Sequence, residues 1–153
     1  MIMSRLILFL LLICCMPVQA QRTYQAIDSL RKAIPLIPED KQRDKALAFH
    51  ELGTYYMHVS NYLEAAANYA RALTIANKLQ DELLIAFIYR NMGTLAFNQS
   101  DYKTQMDYTL KALAIYEKRN DSTRMGALLK MIGDNKLTAG DRPGAGEYYK
   151  RAI

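Results

Sequence analysis

The histidines are the first side chains to consider as a chemical site, because imidazole is a common metal ligand. The 153-residue chain has two, His50 and His58, eight positions apart on one predicted helix. That spacing separates them by about 12 Å along the helix axis. Two zinc ligands on one helix need a spacing of four, and no acidic partner motif accompanies this pair. We therefore predict groove or surface histidines, with no metal and no cofactor.

Phosphate-binding and nucleophilic motifs give no stronger signal. Gly140, Gly144 and Gly146 surround a helix–turn, but the Lys-Ser/Thr ending of a phosphate loop is missing. Serines and aspartates occur without a local nucleophile–base motif. The eleven tyrosines could stack on bases or sugars, yet most fall at helical spacing on a packing stripe, which favours a core role. We predict that the chain is not an enzyme.

Residues 1–20 have the pattern of a secretory signal peptide. A basic Arg5 precedes an unbroken apolar run over residues 6–16, which is followed by Pro17 and a small Ala20. This run covers only about half of a ~30 Å hydrocarbon core, which argues against a transmembrane anchor. We predict cleavage after Ala20 and export to the periplasm or another extracytoplasmic space.

Both cysteines, Cys14 and Cys15, lie inside this predicted leader. Cleavage would leave a chain without thiols and exclude disulfides. The alternative is a lipoprotein that keeps one of them as a lipidated N-terminus, although the residue before such a cysteine is normally small. The mature chain would carry 19 basic and 15 acidic residues, a net charge of +4. A charge this small and evenly spread does not indicate a nucleic-acid partner.

A 40-residue period organises the rest of the chain. Three segments, Lys45–Asp81, Ile85–Asp121 and Met125–Ile153, align without gaps. The alignment superimposes the glycines Gly53, Gly93 and Gly133 and the alanines Ala72, Ala112 and Ala152. A fixed period of this length is the signature of a solenoid. Because one helical pair has an apolar face that it cannot bury alone, the chain repeats the pair and stacks it.

Within each unit the spacing of apolar residues predicts an A helix and then a B helix. The shared glycines let the two backbones approach closely. Side chains that can cap the first turn stand where helices should begin. These predicted N-caps are Asn61, Asp81, Asp101, Asp121 and Asp141. Ahead of the repeats, residues 24–34 predict an N-terminal helix, ended by Pro35 and Pro38, that covers the first A helix.

These units resemble the tetratricopeptide repeat family. The first supplies Phe49, Leu52, Gly53, Tyr56, Ala65, Tyr69 and Ala72, and departs from the family pattern only where Asn77 replaces the closing proline. The second departs at Gln105 and Thr109, and the third has Lys136 in place of an aromatic residue. A period of 40 in place of about 34 means that each helix is roughly a turn longer, as in the repeats of motor-protein light chains and bacterial signalling proteins.

The resemblance implies an all-α, right-handed solenoid of antiparallel helix pairs. A helix and linker over residues 21–40 would precede an array over 41–153, with repeats at about 41–80, 81–120 and 121–153. We predict that the last repeat is truncated, since Ile153 is equivalent to Leu73 and Leu113, whose helices are predicted to continue. We expect this end to fray and to allow self-association, because a stack needs a polar cap.

The resemblance also implies binding along the concave face, which the A helices line. The residues expected there are His50, Thr54, His58, Phe87, Arg90, Thr94, Phe97, Asn98, Lys130 and Asp134. Arg90 and Lys130 occupy equivalent positions, so we expect them side by side in a groove for an extended peptide with an acidic group. The alternative is that this charge row is solvated surface. The family's carboxylate-clamp residues are absent except for Asn91, so that function is not carried over.

Two functions remain from the sequence. The first is an exported scaffold that binds a protein or peptide. The second is the sensory front of a sensor histidine kinase or cyclase whose membrane and effector segments lie outside this sequence, because a leader, a short helix and 40-residue repeats resemble that arrangement in Bacteroidetes bacteria. A downstream transmembrane helix would separate the two, and membrane contact is expected only if such a segment exists.

Overall fold

The computed structural model describes residues 18–153 as a stack of α-helices. The elements are α1 (Val18–Ala33), a 3-10 turn (Ile34–Leu36), α2 (Gln42–His58), α3 (Tyr62–Lys78), α4 (Glu82–Asn98), α5 (Tyr102–Lys118), α6 (Ser122–Thr138) and α7 (Arg142–Arg151). Within this described range there is no strand. The predicted all-α solenoid of helix pairs is confirmed.

The predicted leader lies almost entirely outside the described residues. Arg5, Cys14 and Cys15 belong to that part, whereas residues 18–20 form the start of α1. This helix begins six residues earlier than residue 24, where the apolar spacing predicts it to begin. None of the described helices combines the length and the apolar character that crossing a membrane requires.

Helices α2 to α6 have 17 residues each and are joined by three-residue turns, so that helices begin every 20 residues. All five predicted N-caps are confirmed, each accepting a hydrogen bond from the backbone N–H three positions later. The residue before each cap has a left-handed backbone with φ between 53° and 83°. These residues are Ser60, Gln80, Ser100, Asn120 and Gly140. Each turn therefore closes the preceding helix and starts the next one.

The A and B helices of a pair meet most closely at the repeated glycines. A Cβ added to Gly53 would lie 2.8 Å from Cδ1 of Tyr69, and one added to Gly133 would lie 2.5 Å from Cε1 of Tyr149. Tyr69 is fully buried. In the first and third repeats the glycine thus makes room for a tyrosine ring from the B helix. In the second repeat the corresponding B-helix residue is Thr109, and the contact is looser.

The core runs along the stack in three parts. Tyr69 and Ile88 belong to the part shared by α2, α3 and α4, and Tyr116 and Ile132 to the part shared by α4, α5 and α6. A smaller part joins Ile27 and Ile34 to Leu52 of α2. The N-terminal helix therefore covers the outer side of the first repeat, which fixes α2 in the array.

Candidate functional site

The A-helix face is the surface formed by α2, α4 and α6, the first helices of the three repeats. Two recesses lie on it, both partly lined by α4. The cationic recess has a volume of about 260 Å³ and is lined by Arg43, Leu47, Leu83, Leu84, Phe87, Arg90, Tyr116 and Arg124. The apolar recess has a volume of about 160 Å³ and is lined by Thr94, Phe97, Gln105, Met131 and Asp134. Each is the size of one or two side chains.

Three arginines converge on the cationic recess from three different A helices. The Arg43 Nε donates to Asp81 Oδ2 at 2.8 Å. The Arg124 guanidinium pairs with Asp121. The half-buried Arg90 lies over the Phe87 ring, 4.9 Å from its centroid, and within residues 18–153 no carboxylate forms an ion pair with it. The recess therefore carries two neutralised cations and one whose charge is uncompensated.

The pKa values of the paired carboxyls reflect these contacts. Burial favours the neutral form of Asp81, but the Leu84 N–H and the Arg43 guanidinium outweigh it and lower the pKa of this carboxyl. The hydrogen bonds from Arg124 lower the pKa of Asp121. Both carboxylates stay ionised near neutrality, so they hold their arginines in place at the rim.

His50 lies inside the A-helix face and not on its open surface. It is 7% exposed, its ring centroid is 4.4 Å from that of Phe87 and 5.4 Å from that of Tyr69, and its Nε2 is hydrogen-bonded to the Asn91 side-chain amide. Burial first, and the charge of Arg90 second, lower its pKa to about 4. The neutral ring joins α2 to α4, and it also occupies Asn91, the one residue that matched the carboxylate clamp.

Of the other predicted groove residues, some line one of the two recesses and the rest line neither. Phe87 and Arg90 line the cationic recess, and Thr94, Phe97 and Asp134 line the apolar one. Thr54, His58, Asn98 and Lys130 line neither recess, although Thr54 Oγ1 lies 3.1 Å from the Tyr69 hydroxyl and Lys130 Nζ donates to Asp134 Oδ2 at 2.9 Å.

The sequence predicted that Lys130 would lie beside Arg90. The cations that line the recess with Arg90 are instead Arg43 and Arg124, which the sequence did not single out. The predicted rows ran through the middle of each A helix, at positions 50, 90 and 130. Arg43 and Arg124 lie in the first turns of α2 and α6 and differ by one position in the repeat register. A search for basic residues along whole A helices, without requiring equal register, would have found them.

A larger cleft of about 570 Å³ is lined by residues of α1, α2 and α3. Its lining includes Asp28 and Glu64 together with Arg31 and Arg71. Charges of both signs are balanced there, so the cleft does not select a ligand by its charge. Within the described residues no group of three or more metal-binding side chains comes together.

Comparisons with known proteins agree with the helical-repeat architecture. No family model matches the chain. The photosystem I assembly protein Ycf3 of Synechococcus elongatus is 26% identical over 120 residues, which are 78% of this chain and 68% of Ycf3.

The solved structures that are similar in fold include those of BtubC and FLU. BtubC from P. vanneervenii superimposes with a TM-score of 0.77 at 22% identity over 86% of this chain, which spans about half of BtubC (56%). The TPR domain of Arabidopsis FLU superimposes with a TM-score of 0.67 at 20% identity, over 73% of this chain and 94% of that domain. The described residues thus have the fold of a tetratricopeptide-repeat array.

Proposed function

On the premise of this tetratricopeptide-repeat fold, we propose that the chain is a protein-interaction scaffold that binds a peptide segment of a partner across the A-helix face. The observation that carries the proposal is the pair of recesses along α4, one cationic and one apolar. Their linings differ in charge and polarity, so the two recesses can select a partner by the chemistry of its residues.

The rigidity of the A-helix face supports a binding role. His50 and Asn91 join α2 to α4, and the Tyr69 ring fills the space that Gly53 leaves in the first pair. The Asp134 carboxylate accepts from the Tyr149 hydroxyl at 2.7 Å, which fixes the rim of the apolar recess. A surface that is already ordered loses little conformational entropy when a ligand binds.

The experiment that tests this function maps where a peptide binds. Peptides that bind the full chain are selected from a random display library. A selected peptide is then titrated into isotope-labelled protein, and the NMR shifts of the backbone amides are recorded. We expect amide shifts along α2, α4 and α6, including those of Arg90, Thr94 and Phe97. The absence of any selected peptide, or shifts confined to α3, α5 and α7, would overturn the proposal.

We propose that this scaffold acts outside the cytoplasm. The support is the leader pattern of residues 1–20. Expression with the leader in a bacterium should yield an extracytoplasmic protein that begins at Gln21, as measured by intact mass. A mass that retains Met1, or one with a lipid on Cys14 or Cys15, would contradict cleavage after Ala20.

The sensory front of a signal transducer is the second candidate. It is favoured by the order of leader, short helix and 40-residue repeats in the sequence. The test is the gene sequence downstream of Ile153. A transmembrane helix followed by a kinase or cyclase domain would support it, and a stop codon after further repeats would favour the free scaffold.

A further inference from the structure

The two recesses on the A-helix face are held at a fixed distance by α4. Phe87 and Arg90 line the cationic recess, and Thr94 and Phe97, seven positions later, line the apolar one. Seven residues of an α-helix span about 10.5 Å along its axis. A partner that pairs with Arg90 and packs on Phe97 must therefore present two side chains about 10 Å apart.

The cationic recess suits one acidic side chain. Asp81 and Asp121 compensate Arg43 and Arg124, which leaves the charge of Arg90 for a ligand. Each guanidinium has five N–H donors, so Arg43 and Arg124 can still donate to an anion that pairs with Arg90. Leu83, which is 36% exposed, and Phe87 provide apolar walls that strengthen such a pair by excluding water.

The apolar recess suits a large apolar side chain. Phe97 is 45% exposed, and Met131 on the facing helix has a flexible side chain that adapts to ligands of different shape. The Asp134 carboxylate at its edge is already paired with Lys130 and Tyr149. None of the described residues that line this recess is cationic, so it offers an acidic side chain no ion pair, and the two recesses are not interchangeable.

The spacing also indicates the conformation of the ligand. In a polyproline II segment, which has three residues per turn and a rise of about 3.1 Å, residues i and i+3 lie on the same side about 9.3 Å apart. In a β-strand the residues on one side are about 6.8 or 13.6 Å apart. In a helical ligand, residues i and i+7 would have the required separation. A helix docks through a continuous apolar face, however, and α4 carries the polar Arg90 and Thr94 between Phe87 and Phe97.

Building on the proposed function, we propose that the partner is an extended peptide segment of polyproline II type in which an acidic residue and a large apolar residue are three positions apart. The acidic side chain binds between Arg90, Arg43 and Arg124. The apolar side chain binds between Phe97 and Met131. Such a segment runs parallel to α4 and contacts all three A helices.

The test is the sequence pattern of peptides selected by the full chain from a random twelve-residue display library. We expect the selected peptides to carry Asp or Glu three positions from Leu, Ile, Met or Phe, in either order. This separation should be more frequent than separations of two or four, which a β-strand would give, or of seven, which a helix would give. Arg90→Gln should abolish the acidic preference and weaken a selected peptide by about tenfold or more. Phe97→Ser should abolish the apolar preference and leave the acidic one.

Arg71→Gln is the matched control, because Arg71 on α3 also lies over a phenylalanine, with its guanidinium 5.8 Å from the Phe49 centroid. It should change neither preference. Peptides that bind the A-helix face with another spacing, or that keep their acidic preference with Arg90→Gln, would overturn this inference while the proposed function stands. If no peptide binds that face, the proposed function fails and this inference fails with it.

Discussion

His50 of the first repeat accepts a hydrogen bond at Nε2 from the side-chain amide of Asn91 in the second repeat. The amide nitrogen of Asn91 can only donate, so this imidazole is neutral with its proton on Nδ1. A protonated ring would lose the bond and would place a buried cation beside Arg90. The contact between α2 and α4 therefore depends on the protonation state of one histidine.

The first prediction is a loss of stability in mild acid. The pKa of His50 is lowered from 6.5 to about 4 in the folded protein, so the unfolded chain binds a proton that the folded chain does not between these values. The free energy of unfolding should therefore fall by about 3 kcal/mol as the pH falls from about 6.5 to about 4, and this contribution should then level off. Urea denaturation followed by circular dichroism measures it.

The control for this pH dependence is His50→Gln, whose side-chain oxygen can still accept from Asn91 and which does not titrate. Its stability should be nearly flat over the same pH window. The aspartates with lowered pKa values, such as Asp81 and Asp134, lose their stabilising charge only at still lower pH. An equally steep decline in His50→Gln would show that another group is responsible.

A second prediction compares two equivalent glycines. Gly53→Ala forces a Cβ to within 2.8 Å of the Tyr69 ring and 3.1 Å of the Ala65 carbonyl oxygen, and we expect it to lower the free energy of unfolding by about 1–3 kcal/mol. In Gly93→Ala the closest atom is Thr109 Oγ1 at 3.2 Å. The helix propensity of alanine, up to about 1 kcal/mol over glycine, should make this change neutral or stabilising. Equal losses of stability at both positions would contradict the closer contact between the A and B helices in the first repeat.

The third prediction concerns the left-handed residue in the turn between α4 and α5. Ser100 has φ of 59°, which costs an L-residue with a side chain about 1 kcal/mol or more. Ser100→Gly should therefore raise the free energy of unfolding by about 0.5–1 kcal/mol, because glycine adopts this conformation without strain. Gln99→Gly is the control: its φ is −91°, so it should only destabilise. A loss of stability in Ser100→Gly would show that chain entropy dominates the turn.

The helices were predictable from the sequence because their boundary signals recur at fixed positions, as with Asp81 and Asp101. The surroundings of residues at equivalent repeat positions could not be predicted in this way. His50, Arg90 and Lys130 share one repeat position, yet the first is buried, the second half-buried and the third exposed. Phe87 covers His50, whereas Lys130 pairs along its own helix with Asp134. The period thus predicts where a residue lies on a helix, and the neighbouring side chains decide what covers it.

The last prediction concerns a buried polar pair where the second and third repeats meet. Gln105, 3% exposed, accepts at Oε1 from the Asn135 amide at 2.9 Å, and the same amide donates to the Tyr102 carbonyl oxygen at 2.9 Å. The first repeat has alanine at the position of Gln105, and the second has leucine at that of Asn135.

Asn135→Leu alone leaves a buried amide oxygen without its donor, which should cost about 1–3 kcal/mol of the free energy of unfolding. Gln105→Ala alone should cost less, because Asn135 keeps its bond to Tyr102. The double variant removes the orphaned amide and combines residues that the chain already uses at these positions, so it should recover most of the loss. Urea unfolding of all four proteins gives the coupling energy. Additive losses in the double variant would show that the pair is held by shape and not by its hydrogen bond.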